Sequence, residues 1–216
     1  KVRELANKFN IVLIFDECSS GFRQTYGGLH KYYKVNPDIA IFGKTLGNGY
    51  PINSIIGKDD VMKSIDSTFV SSTFWTERIG PSAAIKVLDI METKKTWRII
   101  KKRGLEVKRK WKKLAEKNKL KITIGGIEAI PNFFFNSKNH ILYKTLITQE
   151  MLKKKILATN VIYLSVEHQD RHFARYFNLL DDIFKKIRLC EQNLLNINTL
   201  LEVPKSISGI REKYEK

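Results

Sequence analysis

Two cysteines, Cys18 and Cys190, are all the thiols that 216 residues carry. They lie far apart and without metal-ligand spacing, so neither a disulfide framework nor a cysteine-built metal centre is expected, and a reducing cytoplasmic setting fits. Long apolar runs are missing as well; nothing approaches the roughly 20 residues that a membrane-crossing helix needs, and no secretory leader is visible. Acidic side chains are scarce, 22 against 39 Lys and Arg, which gives a formal charge of +17. An excess of that size could serve a nucleic-acid surface, where basic side chains displace counterions from phosphates. Its distribution argues against one. Lys94-Lys95, Lys101-Lys102-Arg103, Lys108-Arg109-Lys110, Lys112-Lys113 and Lys153-Lys154-Lys155 are scattered over predicted helices, as on solvated faces. No specific nucleic acid and no membrane is expected as a partner, only weak, salt-sensitive association with nucleic acid. His168 and His172 are four apart, but no third ligand is near, so no metal site is expected.

The chain is long enough for one large or two small domains with a substantial core. Residues 1–9 read as the end of a helix feeding a strand at 11–15, whose continuous apolar run suits a parallel strand covered on both faces. A second such strand is expected at 38–42 and a third at 52–57. Helical spacing follows at 79–93, with Ala83, Val87, Ile90 and Met91 on one face. A very basic helix is expected at 96–118, with Trp97, Ile100, Leu105, Trp111 and Leu114 inward. Near Leu120 the pattern changes to short strands at 121–124, 132–135 and 161–165, with helices at 145–155 and 171–195. The apolar stripe from Phe173 to Cys190 in the last helix reads as core packing. The polar tail after Pro204 is expected to be disordered. The fold class is α/β, with a boundary near residue 118.

Chemistry concentrates where the first two strands end. Ile11-Val12-Leu13-Ile14-Phe15 runs into Asp16-Glu17, and Ile39-Ala40-Ile41-Phe42 runs into Gly43-Lys44. Two parallel strands would deliver a carboxylate and an amine to one sheet edge, where ligands of open α/β sheets sit. That pair suits pyridoxal 5'-phosphate: the lysine forms a Schiff base and the acid keeps the ring nitrogen protonated. Taken alone, Asp16 reads as a cap or surface acid, and Lys44 as one lysine among many. The glycines at 43, 47 and 49 single Lys44 out, because they allow close backbone approach and unusual dihedrals. Gly43-Lys44-Thr45 is not a phosphate-binding P-loop, since position 38, where that motif needs glycine, is Asp.

Four ordered segments carry a family resemblance: Phe15-Asp16-Glu17-Cys18-Ser19-Ser20-Gly21-Phe22-Arg23; Pro37-Asp38-Ile39-Ala40-Ile41-Phe42-Gly43-Lys44; Gly47-Asn48-Gly49-Tyr50-Pro51-Ile52; and Ser71-Ser72-Thr73-Phe74-Trp75-Thr76-Glu77-Arg78-Ile79-Gly80-Pro81. Together, with Lys44 following Asp16 by 28 residues, the chain resembles the class III, fold type I aminotransferases. Within them it is most similar to the branch of glutamate-1-semialdehyde aminomutase. Weaker similarity continues through Gln149-Glu150-Met151-Leu152 and Tyr163-Leu164-Ser165-Val166-Glu167-His168.

The resemblance implies the C-terminal portion of a longer enzyme about twice this length. Residues 1–118 would be the second half of a cofactor-binding large domain with a mostly parallel sheet, and 119–216 a small α+β domain. The part holding the glycine-rich phosphate loop and the ring-stacking aromatic would be missing, so the chain alone is expected to bind cofactor poorly and to be inactive. Lys44 and Asp16 would be catalytic, and Cys18 would pack on the cofactor ring in place of a branched aliphatic residue. Thr73, with Ser72 second, would reach the cofactor phosphate across a homodimer interface. Glu17 and Arg23 match the motif without an assigned role, and His168 would help shape the substrate entrance. The implied reaction moves an amino group between an amino donor and a carbonyl acceptor. The serine- and aromatic-rich segment at 71–78 departs from the Gly-Thr-rich form of the aminomutases, which keeps open a transaminase acting on an amino sugar or an ω-amino acid. A non-catalytic remnant is the third reading.

Overall fold

A computed structural model describes residues 1–207, so the expectation for the tail after Pro204 falls mostly on residues 208–216, outside the described residues. The chain divides into two compact units, residues 1–101 and residues 102 onward.

The first unit opens with α1 (Val2–Lys8). The apolar run 11–15 forms strand only at its end, as β1 (Ile14–Asp16). Leu13 is held another way: its N–H donates to Asp38 Oδ2 at 2.8 Å, and its carbonyl accepts from the Asp38 N–H at 2.8 Å. The same carboxylate takes Lys58 Nζ and Arg3 Nη1, each at 2.7 Å. Lys58 first, then the Leu13 N–H and Arg3, hold the Asp38 carboxyl well below the usual carboxylate range. A short helix, α2 (His30–Tyr33), leads to β2 (Ile39–Phe42), and a 3-10 turn at Lys44–Leu46 leads to β3 (Ser54–Gly57).

Sheet order is β1-β2-β3. The β1–β2 pair is parallel, with Ile14, Phe15 and Asp16 opposite Ile39, Ala40 and Ile41. The β2–β3 pair is antiparallel, so the expected parallel character belongs to one of the two pairings. The connection 43–53 is too short for the crossover that a parallel return requires. Ala40 and Phe42 alternate inward from β2 and pack with Leu46, Ala84, Phe22 and Ile52. After α3 (Asp59–Met62) and a 3-10 turn at Lys63–Ser67 comes α4 (Ile79–Lys94), whose buried positions include Ala84 and Met91 while Ile90 is 38% exposed. Glu77 caps it, its carboxylate accepting the Ile79 and Gly80 N–H groups at 2.7 and 2.6 Å.

The second unit begins inside α5 (Thr96–Lys117). Its inward face runs through Gly104, Val107, Trp111 and Ala115; Leu105 is 44% exposed and does not belong to it. The antiparallel pair β4 (Ile122–Gly125) and β5 (Asn132–Phe135) follows, then α6 (His140–Lys153) and α7 (Asp170–Glu191), with α8 (Ile197–Leu200) last. Residues 161–165 form no strand beyond one bridge from Val161 to Asn132. The pairing stops there because the chain drapes over the 129–131 loop, with Ile162 N bonded to the Pro131 carbonyl and Leu164 N to that of Ala129. Phe133 stands at the centre of the core, its ring centroid 4.8 Å from Trp111 and 5.9 Å from Phe184. The α7 stripe is core as expected: Phe173, Tyr176, Leu180, Ile183, Phe184, Ile187 and Cys190 are all buried. Trp111 Nε1 donates to Tyr176 Oη at 3.0 Å within this core. The division at residue 101 falls inside α5, whose Trp111 packs on Phe133 of β5.

Candidate active site

The parallel register sets the site. Asp16 lies opposite Ile41, so the chain leaves β1 and β2 at the same sheet end, with Asp16 at one exit and Gly43-Lys44 at the other. Asp16 Oδ1 accepts the Cys18 N–H at 3.0 Å, a tight turn of the kind aspartates close after strands. That bond first, then the Cys18 thiol, and more weakly the charge of Lys44, hold the Asp16 carboxyl below its ordinary value against a small opposing effect of burial. Burial, with the Asp16 hydrogen bond and charge, pushes the Cys18 thiol up. A thiol pushed up in this way disfavours the thiolate, the form a nucleophilic cysteine needs.

Lys44 is exposed and sits in the left-handed region at φ 42. An L-residue held there costs on the order of 1–3 kcal/mol, and such strain clusters at functional sites. Its Nζ donates to Ser19 Oγ. Behind it, a Cβ at Gly43 would lie 2.3 Å from Asn53 Oδ1 and 3.5 Å from Cys18 Sγ, so a side chain at 43 would have to displace the Asn53 amide. The Thr45 hydroxyl next along the chain is buried without a hydrogen-bond partner.

Beneath the exposed pair lies a buried clamp. Glu17 accepts Ser20 Oγ at 2.5 Å and the His30 N–H at 2.8 Å, with His30 Nδ1 at 3.1 Å. Burial pulls the Glu17 carboxyl up, but hydrogen bonds from Ser20, the Leu29 and His30 N–H groups and the His30 ring outweigh it and leave it below the ordinary value. The clamp fixes the loop that follows Asp16. Arg23 Nε adds a bond to the Ser19 carbonyl at 2.6 Å.

Asp16, Cys18 and Lys44 are thus brought together. Thr73 is not joined to them: it lies exposed in the turn 73–76 ahead of α4, with no hydrogen bond to the other three among the described residues. His168 and His172 serve as backbone acceptors, their Nδ1 atoms taking the N–H of Ser165 and Gln169 at 3.1 Å each. Burial, then the charges of His172 and Arg103, depress His168. Among the described residues no group of three His, Cys, Asp or Glu could hold a metal ion, and no helix is long and apolar enough to cross a membrane. Ser19 and Asn53 were not singled out from the sequence. A serine beside a second serine, and an asparagine in an Asn-rich chain, carry no periodic or motif signal. The donor set fits pyridoxal phosphate: a carboxylate held below its ordinary value and an amine stand at adjacent strand ends, with Cys18 and Ser19 on the turn that follows the carboxylate.

Residues 1–157 match the model of the class-III aminotransferase family. The chain belongs to that family. It is 31% identical over 201 residues to the 3-aminobutyryl-CoA aminotransferase of Cloacimonas acidaminovorans, a stretch covering 93% of this chain and 47% of that one. It is 24% identical over 204 residues to a glutamate-1-semialdehyde 2,1-aminomutase of Sulfurihydrogenibium sp., covering 87% and 48%. Among solved structures, the FumI protein of Sphingopyxis sp. MTA144 in its PLP internal aldimine form superposes with a TM-score of 0.80 at 20% identity, over 92% of this chain and 49% of that one. An omega-transaminase from Sphaerobacter thermophilus gives 0.78 at 18%, over 87% and 47%. The fold is therefore a mixed α/β part of the fold type I aminotransferase architecture, and the chain spans about half the length of the relatives it matches.

Proposed function

We propose that this chain carries the lysine and the aspartate of a pyridoxal-phosphate-dependent amino-group transfer, with Lys44 and Asp16 as the catalytic residues. The observation that carries the reading is the β1–β2 register, which sets Asp16 and a left-handed Lys44 at one sheet end. When bound, the cofactor supplies an electron sink for the carbon bearing the transferred amine. Asp16 would hold the ring nitrogen, its carboxylate kept ionised by Cys18. Lys44 would hold the cofactor carbonyl carbon and, once displaced, move a proton at the substrate carbon. Cys18 would lie against the ring. Thr73, with Ser72 beside it, would meet the phosphate in a homodimer. The exposure of the whole segment 63–76, with Phe74 and Trp75 among it, supports an interface there. Residues 1–118 and 119–216 would then be the cofactor-bearing and small domains.

The substrates are an amino donor and a carbonyl acceptor. Transfer within one molecule, as in glutamate-1-semialdehyde aminomutases, is one form. Transfer between molecules, from an amine remote from a carboxyl or thioester group, is favoured by the 31% identity to a 3-aminobutyryl-CoA aminotransferase. Borohydride reduction of the protein from its native cells, followed by peptide mapping, tests the common core. Pyridoxyl on Lys44 is the expected result, and a protein with no label there would sink the proposal.

A further inference from the structure

We infer that Ser19 is a positioning residue for Lys44, an inference that rests on the reading of Lys44 as the cofactor-capturing amine. Lys44 Nζ donates to Ser19 Oγ, and among the described residues that ammonium makes no other hydrogen bond or ion pair, although it lies near enough to Asp16 to act on its carboxylate through charge. A lysine side chain is a flexible four-carbon stem that carries about 2 kcal/mol of rotamer entropy when free. An exposed lysine whose ammonium is not paired directly with an acid would sample many directions. Ser19 gives this one a fixed direction, because Ser19 is itself held from both sides.

Its carbonyl takes Arg23 Nε at 2.6 Å. On its N-terminal side, the Cys18 N–H is bonded to Asp16 Oδ1 at 3.0 Å, which ties the hydroxyl's position to the same carboxylate that completes the site. On its C-terminal side, Ser20 Oγ is bonded to the buried Glu17 at 2.5 Å, and Glu17 is anchored on the His30 N–H at 2.8 Å. The Ser19 hydroxyl is thus mounted on the Asp16 turn and aimed at Nζ. A hydroxyl is both donor and acceptor, so while it accepts from the amine its own proton remains free for an oxygen of an incoming group. Alanine at 19 would leave the turn intact and remove only the atom that orients the amine. Threonine would keep that atom.

The test follows capture itself and not turnover. Full-length wild-type protein, Ser19→Ala and Ser19→Thr would be incubated with pyridoxal phosphate, quenched with borohydride over a time course, and mapped by peptide mass. Exposed lysines such as Lys102 and Lys112 in each sample serve as internal references for folding and reagent. Ser19→Ala is expected to slow labelling of Lys44 about tenfold relative to those lysines, the worth of one well-made hydrogen bond, and Ser19→Thr to restore most of it. Equal Lys44 labelling rates in wild type and Ser19→Ala would overturn the inference and leave the role of Lys44 standing. Loss that threonine does not rescue would also overturn it, by showing that the variant disturbs the turn. Absence of Lys44 label in the wild type would instead remove the underlying reading.

Discussion

Asp16 pairs with Ile41 across the parallel β1–β2 ladder, and Lys44 follows Ile41 by three residues. A strand register therefore sets how the acid and the amine meet, and both ends of that relation can be changed separately. Lys44→Ala is expected to abolish borohydride-trapped cofactor and to lower transfer activity of the full-length protein by at least the ~10²–10⁴-fold typical of a lost proton-transfer group. Asp16→Asn keeps the Cys18 turn but not the charge. It is expected to leave Lys44 labelling in place while transfer activity falls. Activity assays run beside the labelling separate the two roles, and an Asp16→Asn protein with wild-type turnover would exclude the ring-nitrogen assignment.

Gly104 lies on the buried face of α5, where a Cβ would come 1.8 Å from the Glu128 carbonyl oxygen. Backbone cannot swing aside as a side-chain tip can. Gly104→Ala should therefore destabilise the protein by about 1–3 kcal/mol or more through overpacking, although alanine favours helix. Urea unfolding measures it, and a gain in stability would mean that this approach is not made in solution.

Tyr176 is fully enclosed, and burial pushes its phenol well above the ordinary value, against the bond from Trp111. Tyr176→Phe would leave Trp111 Nε1 in the core without an acceptor. The expected loss is about 1–3 kcal/mol, the cost of a buried unsatisfied donor. Trp111→Phe in the Tyr176→Phe background should recover part of it, less the packing lost with the smaller ring; thermal melts of the single and double variants give the comparison.

Glu150 accepts Lys186 Nζ at 2.7 Å and Lys153 Nζ at 3.0 Å. Burial raises its carboxyl, but Lys186, Lys153 and the Gln149 amide outweigh that and bring it down from 4.5 to about 2. A carboxyl lower in the folded state stabilises the fold above its unfolded value and loses that contribution as the pH falls toward the folded one. Stability should drop on acidification from 4.5 to about 2, and Glu150→Gln should flatten that part of the curve. Denaturant midpoints across this range decide it; an unchanged slope would place the acid sensitivity elsewhere, with Glu17 the next carboxylate to replace.

Sequence reading singled out Asp16 and Lys44 because strand ends, glycines and interval all mark them, and the parallel β1–β2 register puts both at one sheet end. It reached the α7 stripe because seven apolar residues recur at helical spacing on a polar background. On the inward face of α5 it found Ile100 and Trp111, but it set the exposed Leu105 there and passed over Gly104, which has no side chain to register. It placed a strand at 161–165 on β-branched residues whose backbone bonds go to a loop instead. It passed over Ser19 because that residue's partner is 25 positions away in the chain, a relation only folding creates. Local pattern finds residues that repeat or punctuate; single polar contacts across the fold leave no such trace.

The left-handed backbone at Lys44 sets folding against chemistry at a single position. Glycine there would relieve the strain at no steric cost, and asparagine would relieve part of it. Lys44→Gly should therefore raise the melting temperature while removing the reactive amine. Relief of strain at this position would thus come only with loss of the amine that the proposed reaction uses.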